Sequence, residues 1–374
     1  MESEQKTVQK HLLITIAILS VFGLIMVFDG SLGLYAYKYH YIKLQAIWVL
    51  IGSALCYLMY RIDYKLLQKY AKFLMVAIIV MLVIVIGLSH KVNGSARWIN
   101  LLGFVNFQPS EFAKIIFIIY LSAWIVKMQP IISQVKSYKE NLVKYLLPFM
   151  AITLIITILV VLEKDFGSTI IIASIAIALF FISNTNVYSK INFITIGVIF
   201  FVLGLISIVI EPYRFQRLLT FLNNSGTNKQ LSSGYQVHQI LIAIGSGGIF
   251  GVGFTQSIQK NQYLVGNTSI TDSIFAVIAE ELGLIGSIAI IAIYVYLVWQ
   301  IYKIALRVED PFGKFVAAGI GTWIIVQVFV NISANIGLIP LTGITLPFIS
   351  YGGSSIISIL IGMGIVLSIN KSEK

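Results

Sequence analysis

Residues Ser273–Trp299 read SIFAVIAEELGLIGSIAIIAIYVYLVW. A helix needs roughly 20 apolar residues to cross the ~30 Å hydrocarbon core of a bilayer, and this run exceeds that. Yet Glu280 and Glu281 stand side by side two turns inside it. A carboxylate at membrane depth is costly, so at least one of the pair must face a polar cavity, a cation or a hydrogen-bond network. The stretch therefore decides the fold class and also says where function is to be sought.

Runs of the same kind recur on both sides of it. They predict helices at Leu12–Phe28, Leu44–Tyr60, Phe73–Leu88, Glu111–Val126, Tyr145–Val161, Ser168–Ile182, Ile191–Ile210, Ser273–Trp299, Phe315–Ile332 and Pro347–Ile369. Of the 374 residues, 58% are hydrophobic and 11% charged, against about 25% charged in a soluble domain. The expected fold is an all-α polytopic membrane protein with about ten transmembrane helices in one domain, 1–374. The first run lacks a small-residue cleavage site and is expected to be retained as a helix.

An even number of spans places both termini on one side. Of the 26 lysines and arginines, sixteen fall on that side and nine on the other, with Lys114 inside a span. The positive-inside rule then makes the N- and C-termini cytoplasmic and Glu211–Asp272 one large extracytoplasmic loop. Within that loop Tyr235–Phe254 is apolar but broken by Gly245, Gly247, Gly248, Gly251 and Gly253, which suits a re-entrant or interfacial segment. The glycines are not a phosphate loop, since no Gly-Lys-Ser/Thr follows. The formal charge of +11 is scattered between apolar runs and forms no nucleic-acid patch. The single cysteine, Cys56, permits neither a disulfide framework nor a cysteine metal site.

Four places carry polar groups that need a partner or a function. Asn93–Ile99, with Trp98, leads through Gln108-Pro109-Ser110-Glu111 into a helix bearing Lys114. By residue type alone Trp98 reads as an interfacial aromatic. Glu163-Lys164-Asp165 forms a charged turn, where Asp165 is either a helix cap or the partner of Lys114. Thr271-Asp272-Ser273 precedes the helix holding Glu280 and Glu281, and Asp272 there could serve only as an N-cap. No histidine or cysteine cluster supports zinc. Asn331–Ser355 is rich in small and polar residues, which permit close helix approach and broken helices.

Taken together these places resemble the SEDS family (shape, elongation, division and sporulation), represented by RodA and FtsW. The motifs that carry the resemblance are Gln108-Pro109-Ser110-Glu111-Phe112-Ala113-Lys114, Lys164-Asp165-Phe166-Gly167-Ser168-Thr169, Phe275 to Gly283, and Gly343 to Ser355 with its Leu-Pro-Phe-Ile-Ser-Tyr-Gly-Gly-Ser-Ser core. Ser257-Ile258-Gln259-Lys260 leans towards the FtsW branch.

The resemblance implies a peptidoglycan glycosyltransferase that polymerises lipid II outside the cytoplasmic membrane. It implies a class B penicillin-binding protein as crosslinking partner, within the elongation or division machinery. The family's key aspartate matches Asp272, its first-motif tryptophan matches Trp98, and its lysine and aspartate match Lys114 and Asp165. One departure concerns the loop. Where the family commonly has Tyr-Leu-Pro-Glu followed by His-Thr-Asp-Phe, this chain runs from Tyr263 to Ser273 with two more residues and without that proline, glutamate or histidine.

Such chemistry assigns Asp272 as the base for the acceptor hydroxyl. Charge and side put Arg214, Arg217 and Lys260 forward for the substrate diphosphate, and a divalent cation such as Mg2+ or Mn2+ could share that role. Two other readings compete: a lipid II flippase, whose site is expected near the membrane midplane, and a non-catalytic scaffold that activates the penicillin-binding protein.

Overall fold

The structure is a computed structural model that describes residues 2–34, 39–88, 97–101, 105–132, 134–183, 188–210, 215, 233–264 and 268–372. Its helices are α1 (Glu2–Ser31), α2 (His40–Arg61), α3 (Lys65–Leu88), α4 (Pro109–Ile132), α5 (Tyr138–Leu162), α6 (Phe166–Ser183), α7 (Ser189–Ile210), α8 (Ser233–Gly247), α9 (Ile258–Gln262), α10 (Ile274–Arg307), α11 (Pro311–Asn335) and α12 (Gly353–Lys371). A small antiparallel hairpin pairs β1 (Ile99–Leu101) with β2 (Val105–Phe107), with Asn100 opposite Asn106.

Each of the ten predicted spans falls on a helix. Nine are long and apolar enough to cross a bilayer, and in α7 the described apolar stretch is the shorter Lys190–Gly204. The ends differ from expectation in two instructive places. Asp310 caps α11 by accepting from Gly313 N–H at 2.9 Å, with Pro311 in the first turn. By contrast the last helix starts at Gly353 and not at Pro347, because Leu346–Tyr351 turns sharply through Phe348 at φ 64°.

The apolar windows of α11 and α12 are 78% and 83% buried, against 17% for α2, so these two helices form the centre of the bundle. Their apolar faces are wrapped by the others, with α12 laid along α2 and α11 between α4, α6 and α10. Close approach of α12 to α2 depends on Gly364, where a Cβ would strike the backbone carbonyl of Cys56.

The glycine-laced stretch resolves into α8 followed by a tight turn. At fifteen residues α8 is about 22 Å long, short of the hydrocarbon thickness. The turn repairs a break in α10. Gly283 has φ 65° and ψ −164°, which interrupts the helix. In an unbroken helix the carbonyls of Glu280 and Glu281 would accept from Leu284 and Ile285. Here Val252 and Gly253 donate to those carbonyls at 2.9 and 3.1 Å, while Leu284 and Ile285 donate to Gly248 and Ile249 at 2.9 and 3.2 Å. Every backbone group freed by the kink is thus satisfied by protein, as apolar surroundings require. Gly251 is needed because a side chain there would meet the Glu281 carbonyl.

Candidate functional site

The polar residues converge at the end of the bundle where α1 finishes and α12 begins. One face of α11 carries Trp323, Gln327, Asn331 and Asn335, four residues apart and therefore stacked turn upon turn. Gln327 accepts from Trp323 Nε1 at 2.7 Å and from Lys114 Nζ at 3.3 Å. It donates to the Thr345 carbonyl at 3.0 Å, and the Thr345 hydroxyl meets Ser355 Oγ at 2.9 Å.

Farther along that face, Asn331 Nδ2 donates to the carbonyls of Ile344 at 2.7 Å and Asp272 at 3.0 Å. Asn335 Nδ2 donates to the same Asp272 carbonyl at 2.9 Å. Ser350 donates to the Thr271 carbonyl at 2.6 Å, and Tyr351 N–H to that of Ile270 at 2.7 Å. Three consecutive residues ending at Asp272 are therefore tied to the centre of the bundle through their backbone. The turn containing Ser350 is itself fixed, since Tyr294 donates to the Pro347 carbonyl and Gln45 to that of Ser350 at 3.1 Å.

Asp272 is half-buried, and its carboxylate accepts from the Thr271 hydroxyl at 3.1 Å. The helix-cap reading does not hold for it: Ser273 is the N-cap of α10, and no side-chain cap bond forms there. Asp165 does cap its helix, accepting from Ser168 N–H at 3.2 Å. It also accepts from Gln108 Nε2 and Ser110 Oγ, both at 3.0 Å.

The expected Lys114–Asp165 pair is corrected by the geometry. Lys114 is fully buried and pairs with Glu111 one turn back on α4, at 2.8 Å. Its ammonium also lies 5.3 Å from the Trp323 ring. A carboxylate at i−3 is a helical neighbour, whereas Asp165 already has neutral donors.

The turn between α5 and α6 holds two unlike acids. Burial and then the neighbouring Asp165 push Glu163 up to about 9, with Arg97 opposing them. Burial also presses Asp165 upward, but Arg97, the Ser168 hydrogen bonds and the more distant Lys114 outweigh it and hold its carboxyl below the usual range. Arg97 donates to the Lys164 carbonyl, fastening the segment before β1 to this turn. Trp98, beside it, is 42% exposed and takes no place in the buried network.

Glu280 and Glu281 are both buried, and a hydrogen-bond network receives them. Glu280 accepts from the Ser257 hydroxyl and from Ile258 N–H at 3.1 Å, at the start of α9. Glu281 accepts from Ser257 N–H at 3.2 Å and from Lys260. Lys260 also grips Asp29 of α1, with both oxygens at 2.6 Å. The expectation that Lys260 meets a diphosphate is therefore corrected: its side chain has no exposure and is committed to two carboxylates. Arg214 and Arg217 lie outside the described residues. Among the described residues no group of three or more histidine, cysteine, aspartate or glutamate side chains could hold a metal ion, so the divalent cation finds no such ligand set there.

The sequence reading missed Asp29, Gln45 and Gln327. Gln45 and Gln327 lie inside predicted spans and Asp29 directly follows one, and the cost of burying a polar group at such positions was signal enough.

A helical bundle whose buried polar face leads to a tethered, half-exposed acid defines a polytopic membrane protein with its buried polar groups gathered towards one end. The FtsW/RodA/SpoVE family of cell cycle proteins matches residues 9–374, and the chain belongs to that family. A probable peptidoglycan glycosyltransferase FtsW of Nitrosomonas europaea is 37% identical over 367 residues, covering 95% of this chain and 91% of that protein. Stage V sporulation protein E of Bacillus subtilis is 35% identical over 369 residues, covering 97% and 96%. Among solved structures, a chain described under structural coordination of polymerization and crosslinking by a peptidoglycan synthase complex matches with TM-score 0.76 at 24% identity, covering 97% of this chain and 98% of that one. Rod shape determining protein RodA of Thermus thermophilus matches with TM-score 0.68 at 22% identity, covering 96% and 95%. The two structures establish the fold. The chain is a multi-pass protein of the bacterial inner membrane.

Proposed function

We propose that this protein is a peptidoglycan glycosyltransferase that polymerises lipid II at the outer face of the cytoplasmic membrane. Its termini are cytoplasmic in this reading, and the end bearing Asp272 faces outward. The observation that carries it is the treatment of Asp272: two asparagines of α11 and the Ser350 turn grip the backbone at and before it, while its carboxylate is spared the capping role. Such tethering holds the backbone of the acid in place through contacts other than its carboxylate.

The carboxylate of Asp272 takes the proton of the acceptor's 4-hydroxyl as that oxygen attacks the anomeric carbon of the donor. A glycosidic bond forms, the bond to the lipid-linked diphosphate breaks, and the configuration inverts. The diphosphate leaves with its added charge, for which Arg214 and Arg217 of the large loop are the cationic partners. Lys114, Asp165, Glu280 and Glu281 act as supports that set the positions of the surrounding turns. A class B penicillin-binding protein crosslinks the strands; the peptidoglycan synthase complex named above, with its coordinated polymerization and crosslinking, supports that partnership.

The test is incubation of the purified chain with labelled lipid II, alone, with a class B penicillin-binding protein whose transpeptidase is inactivated, and with the same partner in its active form. A polymerase lengthens the label into glycan strands. Transport of intact lipid II across vesicles without polymer would make it a flippase, and stimulation of crosslinking alone would make it a scaffold.

A further inference from the structure

The described residues on either side of 265–267, 257–264 and 268–273, both meet one short stretch of α1 on the way to Asp272. In the first, Lys260 sits between Asp29 and Glu281, and none of the three side chains is exposed. In the second, Ser269 donates to the Gly30 carbonyl at 3.4 Å. A Cβ on Gly30 would lie 2.7 Å from Ile270 Cγ2, so the loop rests directly on the α1 backbone. Asp29 and Gly30 are consecutive, and both contacts therefore share one rigid support.

A buried ion pair seldom stabilises more than a well-packed apolar pair would, but it does fix geometry, because any other register strands a charge. Glu281 is on α10 directly beside the Gly283 break, and Asp29 is on a different helix. Lys260 can satisfy both only when the loop lies in one place. None of the four motifs that signalled function in the sequence includes Asp29 or Gly30.

We propose that the end of α1, through Asp29 and Gly30, is the seat that sets the reach of Asp272, with Asp29, Lys260 and Glu281 acting as positioning residues. This rests on the reading of Asp272 as the base. The seat fixes where the carboxylate meets the acceptor hydroxyl and leaves lipid II binding to other parts of the chain.

The experiment measures lipid II polymerisation by the full chain with its penicillin-binding partner. The double variant Asp29→Asn with Lys260→Met removes one acid and one base, leaving the net charge of the cluster unchanged. It is expected to lower kcat between about 10- and 100-fold, the range for an ångström-scale misplacement, with KM for lipid II within about twofold. Lys260→Arg, which keeps the charge, is expected to retain most of the rate. An unchanged kcat in the folded double variant would overturn the seat. Should that variant fail to fold, Gly30→Ala answers the same question: it should lower kcat by pushing Ile270 away, and Gly30→Ala with Ile270→Ala should recover it. No effect of Gly30→Ala would likewise overturn the seat. A wild-type chain that makes no polymer would remove the polymerase reading itself, whereas an active wild type with unaltered variants removes only the seat.

Discussion

Replacing Lys114 by methionine keeps the bulk of the side chain and deletes its charge. The structure says what is stranded: Glu111, 7% exposed, loses an ammonium at 2.8 Å, and Gln327 loses a donor at 3.3 Å. Removing one partner of a buried pair typically costs 3 to 5 kcal/mol, of which a charge-assisted hydrogen bond represents about 1.5 to 3. A double-mutant cycle apportions the loss. Combining Lys114→Met with Glu111→Gln should give a coupling of about 2 kcal/mol or more, since the double variant leaves no unpaired charge. Combining Lys114→Met with Asp165→Asn should give less than about 0.5 kcal/mol, because Asp165 is served by Gln108, Ser110 and Ser168. Equilibrium unfolding in mixed detergent micelles reads both couplings. A larger coupling to Asp165 than to Glu111 would refute the assignment of partners.

Glu163 has a folded-state pKa raised to about 9, so the folded chain holds a proton that the unfolded chain releases near the ordinary carboxylate value. Stability should therefore fall as pH rises from about 4.5 to about 9. Glu163→Gln should flatten that slope in unfolding midpoints, and an unchanged slope would count against it. Gly283→Ala forces a side chain into φ 65° and into the backbone of Ile249 and Gly251, and should cost at least 1 to 3 kcal/mol in thermal denaturation. Gly245→Ala, with nothing within 4 Å on α8, should instead be neutral or gain up to about 1 kcal/mol. Asn331→Leu leaves the Ile344 carbonyl without that donor and the Asp272 carbonyl with Asn335 alone. It should cost about 1 to 3 kcal/mol and reduce polymerisation, measured on the same preparation.

Helix positions were legible because a span must be continuously apolar, and that constraint is local. The motifs were legible as places where polarity defies its surroundings. Partnership was not. Lys114 and Asp165 look like complementary orphans in the sequence, but α4 offers Lys114 a carboxylate one turn away, and the polar hydroxyl and amide of Ser110 and Gln108 reach Asp165 first. Lys260 reads as a surface cation because it lies in a loop; only the fold brings Asp29, more than two hundred residues earlier, against it. The exchange of backbone hydrogen bonds between the turn after α8 and the break in α10 was equally hidden. The glycines announced irregular backbone, and the partner that satisfies it is a matter of tertiary packing.

Turnover of the Asp272→Asn variant tests the central claim most directly. Asparagine keeps the size and the contact with Thr271 and leaves the backbone tether intact, while removing the basicity. Purified with its penicillin-binding partner and given labelled lipid II, the wild type should lengthen glycan strands and the folded variant should produce none. Strands of ordinary length and rate from Asp272→Asn would contradict the account.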